Sequence, residues 1–372
     1  MEHIQPFCST QIVFADMPQM RKSLEGLSCS SAVVILSDTS LERWQLSDMI
    51  SAMQEKMTVV RIGTKLANPT QNDIAEALQA FSFLPDVIVA FGGGSAIDLA
   101  KGISAFAGSK ERKPEEILRA IRDKTYCGRK YVPIIAVPST AGTGSELTQW
   151  ATVWDANKSG KFSIDDPGLK PVQALIVPEL TMTLPKNLTL STGLDALAHA
   201  MEAYWSKHTN VLVQDIAYRA IELIIQNLPE VLNHPDNLLL RKAMCRASVL
   251  AGLAFSQTRT TACHSMSYPM TMLYGVPHGL AAAMTLAQVA MRNRGHFAND
   301  EALFALFAQY GGIQYWLDST CTDIVSLRLK PFGISAGDID RIVERSFTGG
   351  RMDNNPVDLS QNDVRMILNA LL

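Results

Sequence analysis

A glycine-rich turn between an apolar strand and a helix constrains the fold of this chain more than any other feature. The run Val87–Phe91 is continuously apolar, Gly92-Gly-Gly-Ser95 follows directly, and Ala96–Phe106 has helical spacing. Glycines at such a turn let the backbone approach a pyrophosphate, while the helix N-terminus offers free N–H groups to its charge. The turn departs from the pattern G-x-G-x-x-G, because Ile97 occupies the third glycine position. It therefore predicts a dinucleotide-binding loop or, as the simpler alternative, a tight turn without a ligand.

The segments before this turn alternate between buried strands and helices. The runs Ala32–Leu36, Thr58–Ile62 and Val87–Phe91 are apolar and rich in β-branched residues, as expected for strands that are buried on both faces. Helical periodicity over Leu41–Met53 and Gln71–Phe81 separates them. This alternation predicts a parallel α/β sheet.

A second polar, glycine-bearing loop follows the predicted strand Val132–Val137, with the sequence Pro138-Ser-Thr-Ala-Gly-Thr-Gly-Ser145. Because parallel strands end at the same edge of a sheet, both loops should lie where open α/β folds bind ligands. Farther along, Trp150–Trp154 and Lys161–Ile164 are predicted to form a small hairpin around Asp155–Gly160.

Four side chains in the second half of the chain have the spacing of a metal site. Asp195 and His199 are four residues apart in an Ala- and Leu-rich segment, so a helix would project both from one face. His264 and His278 bracket a segment of about two to three helical turns. One carboxylate and three imidazoles suit iron or zinc. The alternatives are that Asp195 caps a helix beginning near Thr192 and that His199 is an ordinary core histidine.

The alternation of strand and helix patterns stops near Pro178 and Pro185. From Ser191 onward the sequence predicts almost only helices. The predicted helices are Val211–Asn227, Asn237–Phe255, Leu280–Arg292, Asp300–Tyr310, Cys321–Leu329, Ser335–Ser346 and Ser360–Leu371. We therefore predict a dinucleotide-binding α/β domain over residues 1–180 and an all-helical metal-binding domain over residues 181–372.

Composition narrows the class of protein. The 372 residues are 47% hydrophobic with a formal charge of -3, so the chain can build two cores and has no basic surface for nucleic acid. Its six cysteines show no C-x-x-C pairing, which favours reduced thiols in a cytoplasm. Met1–Pro6 lacks the features of a signal peptide, and no apolar run reaches the ~18 residues of a membrane span. We expect a soluble, cytoplasmic protein.

Four longer runs resemble, in order and spacing, the signatures of the iron-containing (group III) alcohol dehydrogenases: Gly92–Lys101, Pro138–Glu146, Gly193–Tyr204 and Tyr274–Gly279. The resemblance implies a Rossmann-like parallel-sheet domain followed by an all-helical domain, the architecture of dehydroquinate synthase. It implies hydride transfer between NAD(H) and a short primary alcohol or aldehyde, with Fe²⁺ (or Zn²⁺) held by Asp195, His199, His264 and His278. Dehydroquinate synthases and glycerol-phosphate dehydrogenases share this fold, so the fold alone leaves the reaction open. Similar proteins are usually homodimers.

The resemblance also implies which residues contact the cofactor: Gly93, Gly94, Ser95 and Asp98 in the first loop, Thr140 and Thr143 in the second, and Lys161 near the ribose. The alternative for Lys161 is an ordinary solvated lysine. Asp38 follows the strand Ala32–Leu36, where an acidic residue can bind ribose hydroxyls and repel a 2′-phosphate. This favours NAD(H) over NADP(H), unless Asp38 is only a turn or cap residue.

Two positions near His264 bear on proton transfer and on the substrate. Many family members have a histidine four residues after the third ligand, where this chain has Tyr268. The proton route then falls to Tyr268, water or ribose hydroxyls, unless this tyrosine is simply packed. The runs Ser256–Thr261 and Ser267–Pro269 resemble the phosphonoacetaldehyde and sulfoacetaldehyde reductase subgroup. We hypothesise that Arg259 binds the anionic end of such a substrate, because its planar guanidinium matches an oxyanion. The alternatives are an arginine paired with a neighbouring acid and a neutral short-chain aldehyde as substrate.

Overall fold

The computed structural model describes residues 7–64, 68–156, 161–347 and 349–372, and the chain divides into two compact units. The first unit runs to Thr140 and resumes over Ser145–Thr181, and the second comprises Ala141–Gly144 and Met182–Leu372. The N-terminal stretch Met1–Pro6 and residues 157–160 of the predicted hairpin turn lie outside the described residues. The assignment of a dinucleotide to residues 1–180 and of a metal to residues 181–372 stays a prediction.

The first unit alternates strands and helices. In chain order its elements are β1 (Gln11–Phe14), α1 (Met17–Glu25), β2 (Ser31–Ile35), α2 (Asp38–Arg43), α3 (Ser47–Gln54), β3 (Thr58–Ile62), α4 (Gln71–Gln79), β4 (Val87–Gly92), α5 (Gly94–Phe106), α6 (Pro114–Arg122), β5 (Ile134–Pro138), β6 (Trp150–Trp154), β7 (Lys161–Asp165) and β8 (Gln173–Ile176). Among the described residues, six strands form one parallel sheet in the order β1-β8-β5-β4-β2-β3, and β6 pairs with β7 as an antiparallel hairpin. The predicted parallel sheet and hairpin are confirmed.

Both faces of this sheet are apolar because side chains alternate along each strand. In β2, Val33 and Ile35 belong to a core that also contains residues of α4, α5 and α6. Ala32 and Val34 point the other way, into a core shared with α1 and α3. Burial on both faces explains why the strands appear in the sequence as continuous apolar runs.

The strand order places the cofactor-loop candidates side by side. From β3 at the sheet edge the chain returns to β4 on the opposite side of β2, so the winding direction reverses between β2 and β4. Asp38 follows β2, Gly93 follows β4 and Thr140 follows β5, which are three adjacent strands. Open α/β sheets bind ligands at this reversal point, outside the carboxyl ends of the strands.

The second unit is helical in its described residues. Its helices are α7 (Lys186–Trp205), α8 (Val211–Asn233), α9 (Leu238–Thr258), α10 (Ala262–Tyr274), α11 (His278–Asn293), α12 (Asp300–Ala308), α13 (Ile313–Cys321), α14 (Ile339–Arg345) and α15 (Gln361–Asn369). The long helix α7 packs against α8, α9 and α11, and α10 packs against α11 and α14. Among the described residues, no helix has both the length and the apolar character that crossing a bilayer requires.

Two predicted helices are wrong. The run Leu41–Met53 is divided into α2 and α3, because the chain turns at Gln45, whose φ is +51°. Cys321–Leu329 is not a helix, since α13 ends at Cys321 and Asp323 takes a φ of +63° that a right-handed helix cannot accommodate. In this segment the Leu329 N–H instead donates to the Leu371 carbonyl at 2.9 Å.

Candidate active site

Helix α7 carries the centre of the candidate site on one face. It begins at Lys186, so Thr192 and Asp195 lie inside it, and the Thr192 hydroxyl donates to the Leu188 carbonyl one turn earlier at 2.9 Å. The alternative in which Asp195 caps a helix starting near Thr192 is therefore wrong. His199 follows Asp195 by one turn, and Glu202 follows by nearly two, so all three side chains share a face.

Three of the four predicted metal ligands form a compact buried cluster. Asp195, His199 and His264 each offer one ligand atom within 4.8 Å of the others, and all three residues are buried. The Asp195 Oδ1 and His264 Nε2 atoms are 3.4 Å apart. His264 reaches the cluster from the first turn of α10. Residues that are distant in sequence are thus brought together by the packing of α7 and α10.

His278, the fourth predicted ligand, lies beside this cluster and is partly exposed. It is the first residue of α11, its side chain is 38% exposed, and its Nε2 atom is 4.0 Å from Asp195 Oδ1. The next residue, Gly279, permits this approach, because a Cβ there would lie only 1.9 Å from the Ser191 carbonyl oxygen. Any larger residue at position 279 would push α11, and His278 with it, away from α7.

Glu202 is a functional candidate that the sequence analysis missed. It is fully buried, and its Oε2 atom accepts a hydrogen bond from the Nδ1–H group of His264. Its Oε1 atom accepts from the backbone N–H groups of Thr261 at 3.0 Å and Cys263 at 2.9 Å, and from the Thr261 hydroxyl at 2.8 Å. One carboxylate therefore caps the start of α10 and fixes the orientation of the His264 ring, as in carboxylate–histidine–metal arrangements.

The His199 ring is held between two aromatic planes. It stacks on Phe255 with centroids 4.0 Å apart and on His264 at 4.5 Å. Its Nδ1 atom is 3.3 Å from the Gly142 carbonyl oxygen, so the Nδ1–H group donates there and the Nε2 lone pair is left for a metal. Burial lowers the pKa of His199 to about 4, which keeps this imidazole neutral and able to ligate.

The protonation states of Asp195 and His264 follow from the charges around them. Burial alone would raise the pKa of Asp195, but His199, His264 and His278 outweigh burial and hold it below its ordinary value. Burial alone would lower the pKa of His264, but Glu202 and Asp195 raise it to about 9. The protein without metal therefore holds a proton on His264, between two carboxylates.

Unsatisfied atoms identify where a metal fits. Asp195 Oδ1 and His264 Nε2 are buried and have no hydrogen-bond partner among the described residues. Leaving such a group unpaired costs about 1–3 kcal/mol. A divalent cation that replaces the His264 proton would satisfy both atoms, and carboxylate oxygen with imidazole nitrogen is a donor set that iron and zinc accept. The residues present therefore fit the predicted metal.

The first cofactor loop has the geometry of a phosphate-binding turn. Gly92 takes a φ of +146°, which side chains rarely tolerate, and Gly93 is the N-cap of α5 without any side chain to cap it. A Cβ on Gly93 would lie 3.3 Å from the Thr140 hydroxyl oxygen, which is buried and without a hydrogen-bond partner in the described chain. An open helix N-terminus beside an unsatisfied hydroxyl fits a pyrophosphate.

The other predicted cofactor residues belong to several elements. The Ser95 hydroxyl accepts from the backbone N–H of Asn68 at 3.0 Å, and Gly94 is the first residue of α5. Thr143 lies in the short segment Ala141–Gly144, which groups with the helical unit, and Lys161 is the first residue of β7.

Asp98 holds the hairpin to helix α5. One carboxylate oxygen accepts from the Ser145 hydroxyl at 2.7 Å and the other from the Thr152 N–H at 2.9 Å. One turn later, the fully buried Lys101 ammonium donates to the Trp150 carbonyl at 2.6 Å, and burial lowers its pKa to about 8. Both oxygens of the Asp98 carboxylate thus bind groups of the protein, and they fix the hairpin against α5. A direct contact between Asp98 and the cofactor stays a prediction.

Asp38 is the first residue of α2, and Ser37 caps that helix. Its carboxylate, 71% exposed, accepts from Arg61 Nη2 at 2.6 Å. Arg61 also donates through Nη1 to the Leu36 carbonyl at 2.9 Å, which fixes the guanidinium beside the end of β2. An exposed carboxylate that is paired with an arginine can accept hydrogen bonds from ribose hydroxyls and repel a 2′-phosphate.

Tyr268 lies in the middle of α10, and Arg259 lies three residues before that helix begins. The Tyr268 ring stacks on the His278 imidazole with centroids 5.7 Å apart and planes 6° apart. Burial raises the pKa of Tyr268, so the phenol stays protonated at neutral pH. Arg259 ends α9 with an exposed side chain and a φ of +62°, a conformation that costs about 1–3 kcal/mol for a residue other than glycine.

Comparison with known proteins resolves the choice among enzymes that share this fold. A sequence profile of the iron-containing alcohol dehydrogenases matches residues 9–178, and the C-terminal profile of the Fe-containing alcohol dehydrogenase family matches residues 189–372. The chain belongs to the iron-containing alcohol dehydrogenase family. This family assignment confirms the predicted fold, the oxidoreductase class, and the cofactors, a nicotinamide dinucleotide and iron.

Individual members of the family match over nearly the whole chain. The NAD-dependent methanol dehydrogenase of Bacillus methanolicus is 30% identical over 357 residues, which cover 91% of this chain and 92% of that protein. Alcohol dehydrogenase 4 of Schizosaccharomyces pombe is 29% identical over 352 residues, covering 91% and 82%. The crystal structure of sulfoacetaldehyde reductase from Bifidobacterium kashiwanohense in complex with NAD⁺ has a TM-score of 0.85 at 26% identity, covering 98% and 97%.

Proposed function

We propose that this member of the family transfers hydride between NAD(H) and a short primary alcohol or aldehyde whose other end carries an anionic group. The buried cluster of Asp195, His199 and His264, with its two unsatisfied ligand atoms, carries the metal-dependent part of this proposal. The anionic group is supported by the position of Arg259, which ends α9 three residues before α10 begins. When bound, iron supplies Lewis acidity toward the substrate oxygen, and the dinucleotide supplies or accepts hydride.

The protein contributes orientation and proton handling. Glu202 holds His264 with its Nδ1 protonated, so that Nε2 faces the cluster, and the Phe255 ring fixes the plane of His199. The phenol of Tyr268 lies in the ring stack with His278 and keeps its proton at neutral pH, so it can donate a hydrogen bond to the substrate oxygen. We propose Tyr268 as the group that occupies the role of the histidine found in many family members.

Cofactor choice is proposed to depend on Asp38. Replacing Asp38 with alanine removes charge repulsion toward a 2′-phosphate and releases Arg61 to bind it, so the preference for NADPH over NADH should rise roughly 5- to 30-fold. Steady-state kcat/KM with each dinucleotide measures the shift. The double replacement of Asp38 and Arg61 with alanine should lose most of the gain. An unchanged preference in the single variant would leave Asp38 as a turn residue only.

Substrate class is tested through Arg259. The unmodified enzyme should prefer sulfoacetaldehyde or phosphonoacetaldehyde to propionaldehyde, because a planar guanidinium pairs well with an oxyanion. Arg259→Ala should lower kcat/KM for the anionic aldehydes by roughly 30- to 1,000-fold and leave propionaldehyde nearly unchanged. Arg246→Ala, which removes an exposed arginine from the middle of α9, is the charge-matched control. Equal losses on charged and neutral aldehydes would instead give Arg259 a structural role, and no preference in the unmodified enzyme would favour a general short-chain alcohol dehydrogenase.

Two further properties, a homodimer and a cytoplasmic location, are part of the same proposal. They rest on what is usual among similar proteins and on the scattered cysteines, none of which forms a disulfide in the described residues.

A further inference from the structure

A second arginine, far from Arg259 in sequence, lies beside the candidate metal cluster. The guanidinium of Arg351 is centred over the Tyr268 ring, 5.1 Å from its centroid. That ring stacks on His278, whose Nε2 atom is 4.0 Å from Asp195 Oδ1. A fixed positive charge therefore lies one aromatic ring away from a predicted metal ligand.

The turn that presents this arginine, residues 350–355, is anchored by buried amides. The Asn354 side chain donates to the Thr260 carbonyl at 3.1 Å and to the Gly350 carbonyl at 2.8 Å. Asn355 and Asn293, both fully buried, exchange two side-chain hydrogen bonds of 3.0 and 2.8 Å. Because these bonds are buried, they hold the turn in one position relative to α10 and α11.

The same anchoring brings the two arginines to one place. Asn354 is bonded to the carbonyl of Thr260, the residue directly after Arg259. A Cβ on Gly350, the residue directly before Arg351, would lie 3.8 Å from Arg259 Nη1. Two like charges that converge on one short turn repel each other, and an anion bound between them removes that repulsion.

The Arg351 side chain has donors to offer such an anion. It is partly buried, and in the described ranges its guanidinium makes no hydrogen bond or ion pair with the protein beyond its contact with the Tyr268 ring. Stacking on an aromatic face uses the plane of a guanidinium and leaves its N–H groups at the edge free to bind oxygen atoms.

We propose that Arg351 is a specificity-determining residue that binds the anionic end of the substrate together with Arg259, and that the pair favours a doubly charged phosphonate over a singly charged sulfonate. The inference rests on the proposed function and adds to it a second contact and an order among substrates. Coulomb attraction scales with the product of the charges, so two guanidiniums gain more from a dianion. The Tyr268 ring sets the spacing between that anion and the metal cluster.

The test compares alcohol oxidation by the iron-loaded enzyme on three two- or three-carbon substrates: 2-hydroxyethylphosphonate, 2-hydroxyethanesulfonate and 1-propanol. Arg351→Ala should lower kcat/KM by roughly 30- to 300-fold on the phosphonate, less on the sulfonate, and under about 3-fold on 1-propanol. Arg351→Lys should recover part of the loss, because the charge returns without the planar fork. Arg345→Ala, which removes an exposed arginine from the last turn of α14, should leave all three values unchanged.

Each other outcome has a distinct meaning. If the unmodified enzyme prefers the anionic alcohols but Arg351→Ala loses activity equally on all three, then Arg351 only positions Tyr268 and the inference is wrong while the proposed function stands. If the unmodified enzyme shows no preference for anionic alcohols, the proposed substrate class fails and the inference fails with it. Should the alanine variant not fold, Arg351→Gln keeps the polar stem and must show the same ranking of losses.

Discussion

Replacement of Asp195 with alanine is expected to abolish turnover and to reduce bound iron far below one per chain. Asp195 supplies the single carboxylate of a cluster whose other donors are imidazoles, which bind a metal in their neutral form, so its loss removes the charge that offsets a divalent cation. Losing the polarising metal should cost kcat/KM roughly 1,000-fold or more, because Lewis-acid stabilisation contributes several kcal/mol. Metal content is measured by elemental analysis and turnover by absorbance of NADH.

The variant should keep its dinucleotide site, since Asp195 lies in the helical unit and the predicted phosphate-binding loop lies in the other unit. NADH fluorescence should therefore show nearly unchanged binding. Asp215→Ala removes an exposed carboxylate from neighbouring helix α8 and is the matched control. An Asp195→Ala enzyme that retained full iron and full activity would exclude Asp195 as a ligand.

Replacement of Glu202 with glutamine is expected to weaken metal binding by about 10- to 100-fold. The glutamine oxygen can still accept from the backbone N–H groups that start α10, so the fold should survive. Its amide donates to His264 Nδ1 instead of accepting from it, which moves the imidazole proton to Nε2, the atom that must face the metal. Iron titration followed by elemental analysis measures the loss.

The pH dependence of iron uptake separates this tautomer effect from simple destabilisation. In the unmodified protein, Glu202 is the first cause that raises the pKa of His264 to about 9, so iron must displace a proton and affinity should rise with pH up to that value. Without the carboxylate, this pKa should fall, and the pH dependence should move to lower pH. Glu230→Gln, at an exposed site on α8, should change neither property. A Glu202→Gln variant with unchanged affinity and pH profile would show that the carboxylate does not orient His264.

The sequence predicted those site residues that are close together in the chain, and it missed contacts between residues that are distant in the chain. Asp195 and His199 share a helix, so a spacing of four residues was enough to place them together. Glu202 lies on the same face of the same helix, but its importance comes from partners about sixty residues later, which a single sequence does not reveal. The Asp38–Arg61 pair likewise depends on β2 and β3 being neighbours in the sheet.

The fold was largely predictable because its elements leave local patterns in the sequence. The prediction failed where such a pattern suits more than one structure. Continuous apolar runs that are rich in β-branched residues, such as Val87–Phe91, are typical of strands in a sheet covered on both faces. The apolar spacing of Leu41–Met53 suits one helix, yet the left-handed residue Gln45 divides it in two, because tertiary packing overrides helical periodicity. No sequence pattern pointed to Arg351, since its proposed role depends on a turn that the side chains of Asn354 and Asn355 hold in place.

The most direct test of the central claim is a metal-removal experiment on the unmodified enzyme. Iron is stripped with a chelator, its absence is verified by elemental analysis, and NADH oxidation with a short aldehyde is followed at 340 nm before and after Fe²⁺ is restored. We expect activity to vanish on removal and to return in proportion to iron bound, up to one per chain. Full activity in the verified iron-free protein would contradict a metal-dependent reaction at Asp195, His199, His264 and His278.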